Sequence, residues 1–239
     1  MRVHGLTVSV NFSDHLAKGI GRWMDGLSSL TVVSDPEDIG TESVVENCPG
    51  QTTLLKTRVF YADGAAFNKG AALEEGRRAM PFEDWILVFD SDIVPPVGWK
   101  EKVEENDIEP GWLYGAIRKQ WHEKNRLSID DPKLPIVRGD GVGVGFFQLF
   151  HSGDPAVQTS LGQTLFETCW SHAGNYDNDL MNRWRNRGRR PRLLDGFTVT
   201  HVGRGKDWLG RGKTAKFEEM MGERKRRGGK WDHERIRRQ

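Results

Sequence analysis

The chain is poor in cysteine. Cys48 and Cys169 are the only two in 239 residues, and they stand far apart. Two distant cysteines make no disulfide framework and read as free thiols in a reducing compartment. Long apolar runs are missing as well. No stretch of 18 apolar residues occurs, which excludes a transmembrane helix by the usual length criterion. The opening Met1-Arg2-Val3-His4-Gly5 leads straight into a strand pattern rather than a signal peptide. The expectation from these absences is a cytoplasmic protein without a membrane anchor, in a bacterial or phage-infected cell. Internal repeats are absent too. Hydrophobic residues make up 36%, low but sufficient at this length for one α/β domain with appendages.

Tryptophan, by contrast, is plentiful. Nine of them suit an aromatic-lined site or ordinary core in equal measure. The net charge of +1 conceals a split. Residues 1–182 hold 16 Lys and Arg against 27 Asp and Glu, and residues 183–239 hold 19 against 7. A cationic end of this kind fits a nucleic acid or another polyanion as partner, or a solvated tail that offsets an acidic body.

Hydrophobic periodicity predicts strands at Leu6–Val10, Leu30–Val33, Leu54–Tyr61, Trp85–Phe89, Trp112–Ile117, Gly143–Phe150 and Arg192–Thr200. Helices are predicted near 14–26, with Ser13 or Asp14 as cap, and over Phe67–Met80, Trp99–Glu105 and Asp177–Asn186. Residues 36–52 read as a loop, 122–143 as irregular, and 151–175 carry no clear period. Alternating strands and helices in the front half predict a mostly parallel sheet.

The apolar run Trp85-Ile86-Leu87-Val88-Phe89 ends in Asp90-Ser91-Asp92. Two carboxylates at the end of a buried strand are costly unless something pairs them. A divalent cation holding a diphosphate would pair them. Asn11, Asp35, Asp90 with Asp92, and His201 all fall at predicted strand ends, where parallel sheets bind their ligands. Several candidate positions have a plainer alternative. Asp35 suits a turn before Pro36, His201 a solvated strand end, and Asp177 and Asp179 the acidic start of a helix. Arg58 and Lys69 could pair with phosphates or stay solvated. The run Gly139-Asp140-Gly141-Val142-Gly143-Val144-Gly145 does not follow a strand and open a helix, so a dinucleotide fold is rejected. It suits a loop that closes over a ligand.

Five segments together resemble glycosyltransferases of the GT-A fold, in particular the catalytic domain of β-1,4-galactosyltransferases and, more loosely, polypeptide N-acetylgalactosaminyltransferases. They are Val10-Asn11-Phe12-Ser13-Asp14-His15-Leu16, Phe67-Asn68-Lys69-Gly70-Ala71-Ala72-Leu73 through Gly76, Asp90-Ser91-Asp92-Ile93-Val94-Pro95, Tyr176-Asp177-Asn178-Asp179-Leu180-Met181-Asn182-Arg183 and Thr198-Val199-Thr200-His201. They are collinear over about residues 5–203.

The resemblance implies an α/β, Rossmann-like domain over 1–203, with a central mixed, mostly parallel sheet flanked by helices, and a basic extension over 204–239. It implies a metal-dependent glycosyltransferase that moves a sugar from a nucleotide sugar, a UDP-sugar by analogy, with inversion. Mn²⁺ or Mg²⁺ would be held by Asp92 and His201, with Asp90 on ribose or water-bridged to the metal. Asp177 would be the base and Asp179 would bind acceptor hydroxyls. Asn11 and Asp35 would hold base and ribose, and Asn68 and Lys69 belong to the donor-binding helix motif. Two positions depart from the family. Thr198 replaces a metal-binding Met, which favours harder cations, and Tyr176 replaces a Glu, which changes acceptor recognition. The rival expectations are a nucleic-acid-binding protein, a glycosyltransferase acting on modified DNA bases through the Arg-rich end, and a nucleotidyltransferase.

Overall fold

The computed structural model describes residues 1–65, 67–137, 145–160, 163–170, 173–174 and 176–203. All but Gly145 of the glycine-rich loop anticipated at 139–145, the first residues of the strand expected from Gly143, and the basic extension 204–239 lie outside the described residues.

Three strand–helix–strand units open the chain. Strand β1 (Val3–Val8), helix α1 (Ser13–Met24), β2 (Ser29–Ser34), α2 (Ile39–Glu46), β3 (Thr52–Lys56), α3 (Lys69–Ala79) and β4 (Trp85–Asp90) alternate as the pattern predicted. Then come β5 (Ile93–Val94), α4 (Trp99–Glu104), β6 (Tyr114–Gln120), β7 (Ile136–Val137), β8 (Phe147–His151), α5 (Tyr176–Arg185) and β9 (Arg192–His201). The strands form one sheet in the order β3-β2-β1-β4-β8-β6-β9-β5, with β7 on β6. The ladders β1–β2, β1–β4, β2–β3 and β6–β9 are parallel, and β8 runs antiparallel between β4 and β6. Six of the nine described strands therefore point the same way. The fold is the expected α/β one: a mixed, mostly parallel sheet flanked by helices.

Side chains pack on both faces of the sheet. On one face Leu16, Ile20 and Trp23 of α1 (a helical i, i+4, i+7 stripe) meet Leu87, Phe89, Phe147 and Phe197. On the other, Ala72 and Leu73 of α3 and Leu180, Met181 and Trp184 of α5 cover Leu6, Val8, Ile86 and Val88. Helix α3 can lie this close because of its glycines. A Cβ on Gly76 would stand 2.5 Å from Leu6, and one on Gly70 would stand 1.9 Å from the Glu167 carbonyl oxygen.

Several local expectations are corrected. Residues 39–46, expected as loop, form α2. Gly40, Thr41 and the adjacent Val44 and Val45 are weak helix formers, but Asp38 caps the helix, accepting from Thr41 N at 3.0 Å, and Thr41 and Val45 are buried. The third strand stops at Lys56, and Val59–Gly64 turn as a 3-10 helix instead of continuing it. Neither Ser13 nor Asp14 caps α1. Phe12 holds the cap position with no side-chain bond, and Asp14 lies in the first turn.

One core residue violates the apolar rule. Gln148 of β8 lies opposite Val88 and is fully buried, and neither amide atom has a partner among the described residues. An unmet buried polar group costs about 1–3 kcal/mol. Gln148→Met should therefore raise the melting temperature, by about 2–4 °C for each kcal/mol recovered in a chain of this size. Thermal unfolding followed by circular dichroism decides, and a lower melting temperature would show that Gln148 is satisfied in the working protein.

Candidate active site

Because β1, β2, β4, β6 and β9 run the same way, their carboxyl ends share one edge of the sheet. Three polar groups assemble along it.

The first is Asp92 with His201. Strand β5 pairs antiparallel with β9, Ile93 opposite His201, so the turn after β4 brings Asp92 against the end of β9. Asp92 Oδ2 lies 3.0 Å from His201 Nε2, with both side chains nearly buried. The Val202 N–H donates to the Asp92 carbonyl at 2.9 Å. The second Asp92 oxygen, Oδ1, is buried and has no partner among the described residues. On the far side of the imidazole, Nδ1 meets Gln120 Oε1 at 3.0 Å. Gln120 is anchored in turn, its amide donating to the carbonyls of His201 at 3.1 Å and Gly203 at 2.8 Å. Burial opposes the charge on Asp92, but the hydrogen bond and charge of His201 outweigh it and hold the carboxyl below its usual range, with Lys69 and His15 adding to the effect.

The second group is Lys69, Asp90, Tyr176 and Asp177. The ammonium of Lys69, from the first turn of α3, ion-pairs with Asp90 Oδ1 and stands 4.8 Å over the Tyr176 ring. Burial raises the Asp90 pKa against the pull of Lys69, and the Asp92 charge adds to the rise. Asp177 follows Tyr176 at the start of α5. Burial pushes its carboxyl above the usual carboxylate range, against the Asn178 N–H that it accepts. The Tyr176 hydroxyl donates to the Gly145 carbonyl at 2.9 Å. Gly145 has φ +105°, and a Cβ there would lie 2.3 Å from Asp177 Oδ2. Only glycine lets the chain pass this close to the carboxylate.

The third group surrounds the ends of β1 and β2. Asn11 adopts φ +58°, a left-handed conformation that asparagine tolerates better than most residues. Its N–H donates to Asp38 Oδ2 at 2.7 Å, which also accepts from the Thr41 hydroxyl at 2.6 Å. Asp35 is buried, and its Oδ1 accepts from Glu37 N at 2.8 Å, which is a turn contact. Tyr61 faces Asp35; burial, then the Asp35 charge, push the phenol up to about 12.

The anticipated residues are thus brought to one edge, though several are already engaged. Asn68 caps α3, accepting from Ala71 N at 2.9 Å, while its amide donates to Thr168 O at 2.7 Å. Its polar atoms serve the protein, so it positions Lys69. Asp179 accepts from Trp170 Nε1 at 2.7 Å. Arg58 pairs with exposed Glu37. Gln120, Asp38 and Tyr61 were missed. Asp38 had a signal, a capping residue three positions before Thr41. Gln120 had none, because its partner lies 81 residues away.

Could this edge hold a divalent cation? The buried, unpartnered Asp92 Oδ1 and the His201 Nε2 facing the same carboxylate are hard-oxygen and imidazole donors. With a cation bound, Gln120 Oε1 accepting from Nδ1–H would fix the tautomer that frees the Nε2 lone pair to ligate it, the second contact that metal-bound histidines usually have. The residues fit a cation held by two protein groups and completed by phosphate oxygens. Asp90 is less available, since Lys69 occupies its Oδ1. Among the described residues a three-ligand grouping occurs at the opposite edge, where His4, Glu83 and Asp84 converge. There Arg2 already neutralises the acids, at 2.6 Å from Asp84 and 3.4 Å from Glu83.

No family model and no curated protein matches the chain. Among solved structures it is similar to glucosyl-3-phosphoglycerate synthase from Mycobacterium tuberculosis in complex with Mn²⁺, UDP and phosphoglyceric acid, at 14% identity over 97% of this chain and 80% of that one, TM-score 0.49. It is also similar to the inositol-1-phosphate CTP transferase from T. maritima, at 9% identity over 92% and 94%, TM-score 0.48. A putative glucose-1-phosphate thymidylyltransferase from Bacillus anthracis gives 11% identity over 90% and 99%, TM-score 0.47. Likenesses this distant decide nothing about the reaction, which has to be read from the residues of this chain.

Proposed function

We propose that the chain is a metal-dependent glycosyltransferase of GT-A type, akin to the β-1,4-galactosyltransferases, moving a sugar from a UDP-sugar to an acceptor hydroxyl with inversion. The observation that carries this reading is the buried Asp92–His201 pair, with one carboxylate oxygen unpartnered, on the same sheet edge as the Lys69–Asp90 pair and Asp177. Asp92 and His201 would hold Mn²⁺ or Mg²⁺, whose charge stabilises a departing diphosphate. Gln120 orients His201. Asn11, Asp35 and Tyr61 form the side that takes the base and ribose. Lys69 holds Asp90 in place and adds positive charge beside the phosphates. Asp177 accepts the proton of the attacking hydroxyl; its raised pKa makes it a stronger base than an exposed carboxylate. Asp179, held by Trp170, faces the acceptor.

Saturating UDP with Mn²⁺ or Mg²⁺ should stabilise the protein, by about 2.7 kcal/mol at a hundredfold the dissociation constant. UDP and metal together should raise the melting temperature where neither alone does, and no shift with either metal would reject the reading. A nucleotidyltransferase also uses strand-end carboxylates. Product analysis separates the two, since sugar transfer releases UDP and nucleotidyl transfer releases pyrophosphate. Asp177, a buried basic carboxylate, favours sugar transfer.

The polyanionic acceptor rests on the arginines of residues 183–192 and the basic extension. Part of that charge is engaged: Arg189 donates to the Gly111 carbonyl, Arg192 pairs with Glu109, and both guanidiniums lie over Trp112. Arg185, Arg187 and Arg190 are exposed.

A further inference from the structure

One cation beside the site, Arg118, has no ion-pair partner among the described residues. Arg118 lies on β6, in register with Val199 of β9, two residues before Gln120, which is in register with His201. Alternation along the strand puts Arg118 on the face that carries Gln120 and its partner His201. Its guanidinium stacks over the Phe146 ring at 5.0 Å. Among the described residues its buried Nε has no hydrogen-bond partner, and no ion pair to Arg118 occurs. Lys69, the buried cation elsewhere on this edge, has Asp90 by contrast. Leaving a buried donor of a charged group unmet costs more than the 1–3 kcal/mol or so of a neutral one, so something outside the protein is expected to meet it.

The position says what. Phe146, under the guanidinium, accepts the Asp90 N–H through its carbonyl at 3.2 Å. The preceding residue, Gly145, lies against the Asp177 carboxylate. Arg118 thus stacks on the residue that follows the close neighbour of Asp177, while the Asn11, Asp35 and Tyr61 group stands at the ends of β1 and β2, across β4 and β8 in the sheet order. A planar guanidinium held flat on a ring presents its N–H groups in a fork matched to carboxylate or phosphate.

Resting on the transferase reading, we propose that Arg118 is an anion subsite on the acceptor side: the acceptor carries a phosphate or carboxylate that this guanidinium holds while Asp177 faces the hydroxyl. Specificity would follow from the same geometry, because a neutral acceptor would leave the buried donor unmet.

Inorganic phosphate, titrated into the full chain saturated with UDP and Mg²⁺, tests this by calorimetry and by the arginine Nε–H resonances in NMR. Wild type should bind phosphate saturably, moving one arginine resonance. Arg118→Gln should weaken phosphate by about tenfold or more, the size of one charge-assisted contact. Arg118→Lys should fall between, and UDP affinity should stay as in wild type. Since no hydrogen bond to Arg118 Nε and no ion pair occur among the described residues, and Met keeps an apolar contact with Phe146, Arg118→Met should not lower the melting temperature, separating a binding defect from misfolding. Phosphate binding unchanged in Arg118→Gln, or none in wild type, overturns the subsite. A loss of UDP affinity in Arg118→Gln, with phosphate binding retained, overturns it too by assigning Arg118 to the donor diphosphate. Should UDP fail to bind wild type, the transferase reading falls on its own, and the same titration without nucleotide still decides Arg118.

Discussion

Asp92→Ala should abolish metal-dependent UDP binding. The variant removes both the carboxylate oxygen that faces His201 at 3.0 Å and the buried oxygen with no protein partner, leaving His201 as the sole protein donor. His201→Ala should weaken binding strongly but less, because the carboxylate survives and hard cations prefer oxygen. Gln120→Ala keeps both ligands and loses only the contact that orients the imidazole. Contacts of that kind are typically worth about 10–100-fold in metal affinity, so it should be the mildest of the three. Calorimetry with UDP and Mn²⁺ should return this ranking, and chelating the metal should reduce wild type to the level of Asp92→Ala. Wild-type affinity in both Asp92→Ala and His201→Ala would refute the cation site. The pH dependence has a definite sign. Asp92 is held below the usual carboxylate range, so its contribution to stability is present above the unfolded-state value and disappears as the pH falls through the lowered one.

Asp177→Asn should keep UDP and metal affinity and lose most of the turnover, by about 10²–10⁴-fold if Asp177 is the base. The substitution is nearly isosteric and leaves Gly145 its close approach. Burial holds the Asp177 pKa above the ordinary carboxylate range. Turnover should therefore fall as the pH drops through that raised value, at a higher pH than for an exposed aspartate. Stability runs the other way. A carboxyl with a raised folded-state pKa favours the fold at pH below its unfolded value, and that contribution is lost as the pH rises through the folded one. Asp177→Asn should consequently be at least as stable as wild type at neutral pH while nearly inactive. A rate within about threefold of wild type, against the 10²–10⁴-fold that base catalysis contributes, would move the base elsewhere, and NMR of a product with retained anomeric configuration would reject direct displacement.

Most of the front half could be read from local pattern. The run Trp85–Phe89 ends in a carboxylate as a buried strand at a functional edge does, and β4 extends to Asp90 itself. The residues Phe67–Met80 read as a helix because Ala, Leu and Glu dominate them, and the structure starts it at Lys69 with Asn68 as cap. His201 at the end of a strand was likewise visible. Helix α2 was not, since its residues are poor helix formers and its stability comes from the Asp38 cap and from packing of Val45.

Local pattern determined which residues are strand-end acids and where the helices begin, because periodicity, caps and turn chemistry act over a few residues. The partners were decided by the sheet. Asp90 and Asp92 are two residues apart and look equivalent in sequence, but the alternation of β4 aims Asp90 at Lys69 on one face while the turn delivers Asp92 to His201 through the β5–β9 pairing. Gln120 behind His201, the unmatched charge of Arg118 and the glycine against Asp177 arise from contacts between distant strands and helices. No local signal encodes them, because a desolvated group takes whatever partner the packed sheet places beside it.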